Sequence, residues 1–169
     1  NGAPTPEWRA LSGAAEPKAI DVRQDIEERP THTHSDAPFS LYSWQAEALS
    51  AWHSNERRGV IEAVTASGKT MVGLAAIWEE LEEGGRAQVL VPSIDLMHQW
   101  AGIAQNFFPE RRVGLLGDGH HDRLADFEIL IAVVNSARGG AAGITNDHCL
   151  LVADECHRYA TAENVNALD

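Results

Sequence analysis

The sequence predicts an α/β fold, a mostly parallel sheet with helices on both faces. Three observations carry that reading. Short, continuously apolar runs recur with helix-like segments between them, the pattern of strands buried on both sides. One such run leads through a Gly68-Lys69-Thr70 loop straight into a helix. The last run, Leu150-Leu151-Val152-Ala153, ends in two adjacent acids, where open α/β sheets collect their functional groups.

The elements are taken in chain order. Residues 1–37 hold Pro4, Pro6, Pro17 and Pro30 among scattered charges, and read as an arm or linker with a short strand at 19–22. The alternation Thr31-His32-Thr33-His34 is read as a polar linker in preference to a metal site, since no third ligand is near. From residue 38 to 169 the pattern is that of one domain. Ser43 is expected to cap a helix with Trp44, Ala48, Ala51 and Trp52 on one face. Residues 59–64 read as a β-branched strand. Residues 69–83 read as a helix with Met71, Leu74, Ala75 and Trp78 inward, closed by Gly84-Gly85. A strand over 88–91 stops at Pro92. A helix over 93–107 follows, with Leu96, Trp100 and Ile103 inward. Strands are expected at 113–116, 129–134 and 149–153, and His120-His121 in a solvated turn. There is no internal repeat.

Composition narrows the classes further. Hydrophobic residues make up 44% of the 169, enough for a packed core. No run approaches the ~18 apolar residues of a membrane helix, and the polar N-terminus carries no signal-peptide pattern. A first residue that is Asn, not Met, suggests a processed or cut chain. Two cysteines, Cys149 and Cys156, make no disulfide framework, so a cytoplasmic, reducing compartment is expected. The net charge is -12, spread over both parts: four basic and seven acidic residues up to 37, nine and eighteen beyond. Contacts to nucleic acid would therefore rest on backbone amides, hydroxyls and a few arginines, and the isolated chain is expected to bind DNA weakly. Beyond Lys18 the sequence has a single lysine, Lys69, which marks a place needing a compact ammonium.

The chemistry is concentrated in two stretches. In Ala63-Val64-Thr65-Ala66-Ser67-Gly68-Lys69-Thr70, a turn before a helix exposes successive backbone N–H groups to phosphate. Thr65, Ala66, Ser67 and Gly68 would line that cradle, Lys69 would reach the β- and γ-phosphates, and Thr70 would place its hydroxyl on Mg²⁺. Ala63 and Ala66 stand where glycine is common. In Asp154-Glu155, Asp154 would hold Mg²⁺ and Glu155 would polarise the attacking water. A zinc quartet of His148, Cys149, Cys156 and His157 is rejected, because a strand would set positions 149 and 156 ~20 Å apart at ~3.3 Å per residue.

These stretches carry a family resemblance over residues 39–160. Residues 63–70 (a Walker A sequence) resemble motif I of superfamily 2 helicases, and Asp154-Glu155-Cys156-His157 resembles their DExH box. Gln45 resembles the adenine-reading glutamine upstream of motif I, although Tyr42 and Ser43 replace the usual arginine and proline before it. Val91–Trp100 is similar to motif Ia, and Ile131–Ala137 to the motif whose strand end contacts the nucleic-acid backbone. The branch it resembles most holds repair helicases and restriction-enzyme motor subunits. The resemblance implies a first RecA-like, P-loop NTPase domain that binds ATP and Mg²⁺. It places nucleic acid, DNA by preference, across Pro92, Ser93, Asn135 and Ser136, with His157 coupling the two sites. The partner it implies is a second RecA-like domain or the rest of the same protein.

Several residues keep a second reading. Gln45 is read as adenine-binding, against a solvent-facing helix position. Ser93 can cap its helix, contact phosphate, or both. Asn135 and Ser136 are loop residues or backbone contacts, and Trp52, Trp78 and Trp100 are read as core rather than stacking platforms. The alternative function is a P-loop kinase or a nucleotide-binding regulatory module, though no lid-like arginine cluster lies between 70 and 150. The resemblance further implies that the domain is incomplete, cut before motif III. The strand of that motif would fill a slot between 59–64 and 149–153, which are therefore expected not to pair directly.

Overall fold

A computed structural model of the chain describes residues 37–63, 67–138 and 149–156. They fall into two compact units, one holding the described residues of Ser40–Val72, the other residues 37–39 and those from Gly73 on. The expected strand at 19–22 and the Thr31–His34 stretch lie outside the described residues.

The first unit is built on α1 (Ser43–Ser54). Its cap is Tyr42, in extended conformation, and not Ser43, which is the first helical residue. The Gln45 Oε1 accepts the Tyr42 N–H at 2.8 Å, the bond that a capping box draws from its N3 residue back to the cap. The buried stripe is Trp44, Gln45, Ala48 and Leu49. Ala51 is exposed and Trp52 half-buried, because the polar Gln45 takes an inward position and rotates the stripe. Residues 59–63 form no strand, and Val60 (57% exposed) and Ile61 (39%) face solvent. A β-branched run becomes a strand only where a neighbour takes its backbone bonds, and none does among the described residues.

Helix α2 (Lys69–Glu82) starts in the first unit and continues into the second. It is apolar around most of its girth: Val72, Leu74, Ala75, Ala76, Ile77 and Leu81 are buried, while Met71 and Trp78 are only half-buried. It ends in a Schellman motif. Gly84 has φ +83, its N–H donates to the Leu81 carbonyl, and the Gly85 N–H donates to the Glu80 carbonyl.

The second unit is a sheet of five strands in the order β3-β2-β4-β1-β5. In chain order they are β1 (Arg86–Val91), β2 (Val113–Gly117), β3 (His120–His121), β4 (Ile129–Val133) and β5 (Cys149–Ala153). All pairings are parallel except that of β3, which folds back on β2 through Asp118-Gly119. The His120-His121 turn of the sequence reading is thus a short exposed hairpin strand. Helix α3 (Ile94–Phe107) packs on β1, β2 and β4. Its stripe is Met97, Trp100, Ala101 and Ala104, so Leu96 and Ile103 sit at its margins, half-buried. Phe39 meets Phe107 edge-on at 5.7 Å. The strand expected to reach 134 stops at Val133, and α4 (Val134–Ala137) begins there. Among the described residues no helix is long and apolar enough to cross a membrane.

Strand alternation sorts the core into two faces. Leu90, Leu116, Leu130 and Ala132 join Val134 and Ala137 of α4 and Leu124 on one face, with Leu151 and Ala153 packed at its border. Val89, Ile131 and Val152, aligned by register, take the other face. Among the described residues β5 pairs only with β1. One residue breaks the apolar pattern. Gln88 in β1 is 0% exposed, and among the described residues neither Nε2 nor Oε1 has a hydrogen-bond partner. Leaving a buried amide unpaired costs about 1–3 kcal/mol. Gln88→Met, which keeps the volume and removes both polar atoms, is therefore expected to raise unfolding stability by about 1–3 kcal/mol in urea titration; an unchanged or lower midpoint would contradict the unpaired state of this side chain.

Candidate functional site

Around the start of α2 the backbone is held by a side chain from α1. The Gly68 carbonyl accepts the Met71 N–H at 3.0 Å and the Gln45 Nε2 at 3.0 Å. Gln45, only 1% exposed, thus spends its carbonyl oxygen on Tyr42 and its amide nitrogen on the loop that precedes Lys69. The solvent-facing reading of Gln45 is overturned. Gly68 has φ +89, and a Cβ there would come 2.8 Å from Gln45 Nε2, so both conformation and space require glycine. Lys69 and Thr70 form the first helical turn and are half-buried. Ser67 Oγ is buried without a hydrogen-bond partner among the described residues. Thr65 and Ala66 lie outside the described residues.

The second group of candidates shares one edge of the sheet. Because β2, β4, β1 and β5 run parallel in matched register, the turns that follow them emerge side by side. These turns carry Asp118, then Asn135 and Ser136, then Pro92 and Ser93, then Asp154 and Glu155. Ser93 is the N-cap of α3, its Oγ accepting the Leu96 N–H at 3.4 Å. Asn135 and Ser136 stand on α4 and not at a strand end; Asn135 is exposed and Ser136 half-buried. His98 Nε2 lies 3.0 Å from Asp118 Oδ2, tying α3 to the β2–β3 turn.

Asp154 is the most tightly defined of these groups. Its N–H donates to the Leu90 carbonyl at 2.9 Å, extending the β1–β5 ladder by one bond. Its Oδ1 accepts the Glu155 N–H at 2.9 Å, and its Oδ2 accepts the indole Nε1–H of Trp100 at 2.8 Å. Glu155 follows with φ +53, a left-handed conformation uncommon outside glycine, asparagine and aspartate. Trp100 is buried, as the sequence reading expected of a core residue, yet its ring nitrogen reaches the acid pair. The hydrophobic spacing of α3 signals that this ring is inward; no signal in the sequence says where its one polar atom ends.

The cysteines separate by environment. Cys149 is half-buried in β5, and burial pushes its thiol above the usual range, with the Glu80 carboxylate adding to the shift. Cys156 is exposed. His148 and His157 lie outside the described residues, as does any test of the coupling expected of His157. Among the described residues no cluster of three or more His, Cys, Asp or Glu side chains could hold a metal ion.

Comparison with known proteins adds two findings. Residues 38–169 match the family described as type III restriction enzyme, res subunit. The chain is also 30% identical over 140 residues to the DNA 3'-5' translocase XPB2 of Sulfurisphaera tokodaii, an alignment covering 83% of this chain and 30% of that protein. The chain thus spans under a third of that relative's length.

The Gln45 contacts give a direct expectation. Truncation in Gln45→Ala removes two hydrogen bonds and leaves the Tyr42 N–H without this acceptor, which should cost about 1–3 kcal/mol in the absence of nucleotide. Urea unfolding of the nucleotide-free protein checks it, and an unaltered midpoint would mean that the strut carries no load.

Proposed function

Since this chain belongs to the family of type III restriction enzyme res subunits and is a first RecA-like domain of superfamily 2, we propose that it is the ATP-hydrolysing half of a motor that moves on DNA. The observation that carries the reading is the convergence of Asp154-Glu155 with Pro92-Ser93 and α4 on one edge of a parallel sheet. An acid pair for nucleotide chemistry and hydroxyls for a phosphate backbone then share a rigid platform. DNA is preferred over RNA because the XPB2 relative is a DNA translocase.

In this reading the N–H groups of the loop and of the first turn of α2 donate to the nucleotide's phosphate oxygens, helped by the helix dipole. Lys69 adds a point charge on the β- and γ-phosphates, and the adenine is read by the amide capacity that Gln45 keeps beyond its bonds to Tyr42 and Gly68. Glu155 orients and polarises the attacking water, which displaces ADP from the γ-phosphorus and leaves inorganic phosphate. The Asp154 carboxylate, already held by two N–H groups, and the Thr70 hydroxyl are each the kind of hard oxygen donor that Mg²⁺ takes. Mg²⁺ would neutralise charge on the phosphate oxygens. Pro92, Ser93, Asn135 and Ser136 meet the strand, and His157 links the acid pair to it. A second RecA-like domain, or the rest of the same protein, supplies the arginines that complete the charge stabilisation.

The test is ATP turnover by the full-length protein with and without single- and double-stranded DNA. DNA-stimulated turnover is expected, reduced at least about 100-fold in Lys69→Ala and in Glu155→Gln. Turnover indifferent to DNA and RNA, or intact in Glu155→Gln, would sink the motor reading.

A further inference from the structure

We propose that Trp100 is a positioning residue for Asp154, its indole N–H setting the carboxylate that the reading above assigns to Mg²⁺. The inference rests on that assignment and adds a residue to it. The Nε1–Oδ2 distance of 2.8 Å is that of a strong hydrogen bond, made by a side chain only 3% exposed. Water therefore competes little for the indole N–H. An indole nitrogen donates and never accepts, so it fixes the carboxylate without competing as a metal ligand. A carboxylate offers about four lone-pair sites, and the N–H groups of Trp100 and Glu155 take one on each oxygen. The rotamer is thereby set before any cation arrives.

A second observation is independent of that bond. Gly73 sits in the interior of α2, where glycine is a poor helix former. A Cβ at this position would come 3.1 Å from Trp100 Cη2 and 3.4 Å from Val152 Cγ1. The missing side chain is the seat of the indole. Val152 and Asp154 are two residues apart on β5 and its continuation, so one face presents both to the same ring. The ring is pinned between helix and strand with its nitrogen aimed at the acid.

The experiment uses the full-length protein and ADP, titrated by calorimetry in excess Mg²⁺ and in EDTA. Trp100→Phe keeps a ring in the seat and removes the N–H. It is expected to weaken ADP binding about tenfold in Mg²⁺ and to leave binding in EDTA unchanged, since outer-sphere partners of metal ligands typically affect affinity ~10–100-fold. The Mg²⁺ concentration for half-maximal ATP turnover should rise by a similar factor. Gly73→Ala, which keeps the N–H but displaces the ring, should show the same split, and serves if Trp100→Phe does not fold. Equal losses with and without Mg²⁺, or no loss in either variant, would overturn the proposal. Asp154→Ala separates the two readings. If Mg²⁺ still strengthens ADP binding there, the Asp154 assignment itself fails; if that effect is lost while Trp100→Phe behaves as wild type, only the role of Trp100 fails.

Discussion

Everything at the sheet edge depends on one constraint, the parallel register that aligns Val91 with Val133, Leu90 with Ala132 and Ala153, and Leu116 with Ala132. Parallel strands of equal phase finish together, so their following turns need no special placement to become neighbours. A slip of one residue in β5 would move Asp154 to the opposite face, because strand side chains alternate. The register is guarded by burial. β4 is covered along its whole length, and β1 has only Arg86 outside the core, so any slip would expose several apolar residues at ~1.5–3 kcal/mol each.

That same burial explains which elements were legible in the sequence. β4 and the Val89–Val91 stretch of β1 read as continuous apolar runs because both faces are covered, while β2 and β5, only partly covered, are legible from their apolar content alone. The helix after Ser93 was legible from its cap and its spacing. What failed was phase within helices. In α3 the inward stripe lies one position on from the expected one at Leu96 and Ile103, on Met97 and Ala104. α1 was misphased for a sharper reason: Gln45 is inward, and periodicity assigns a polar residue outward. The 59–64 run failed as a strand because β-propensity describes fit to a sheet and does not create one.

Site residues were legible to the extent that their chemistry is local. Gly68-Lys69-Thr70 and Asp154-Glu155 are contiguous, and their meaning follows from a strand end or helix start beside them. The contacts that give these groups their geometry are not local. Gln45 reaches Gly68 across 23 residues and Trp100 reaches Asp154 across 54. In both pairs the donor is a residue whose sequence reading was complete without the contact. A single sequence fixes the hydrophobic reason for a buried tryptophan and is silent on its ring nitrogen.

Glu155 shows why those distant contacts matter. A non-glycine residue at φ +53 costs about 1–2 kcal/mol and persists only where its neighbours over-determine the backbone. Here the neighbour is Asp154. Its N–H is fixed by the Leu90 carbonyl, and its Oδ1 accepts the N–H of Glu155. The second carboxylate oxygen is held by Trp100, so the carboxylate cannot rotate away and release the Glu155 amide without also breaking this part-buried bond. The ladder from β1, the indole from α3 and the turn after β5 therefore act on one side chain. Strain at Glu155 is sustained by the same three bonds that orient Asp154, and the two acids are built as a unit, not as independent residues that happen to be adjacent.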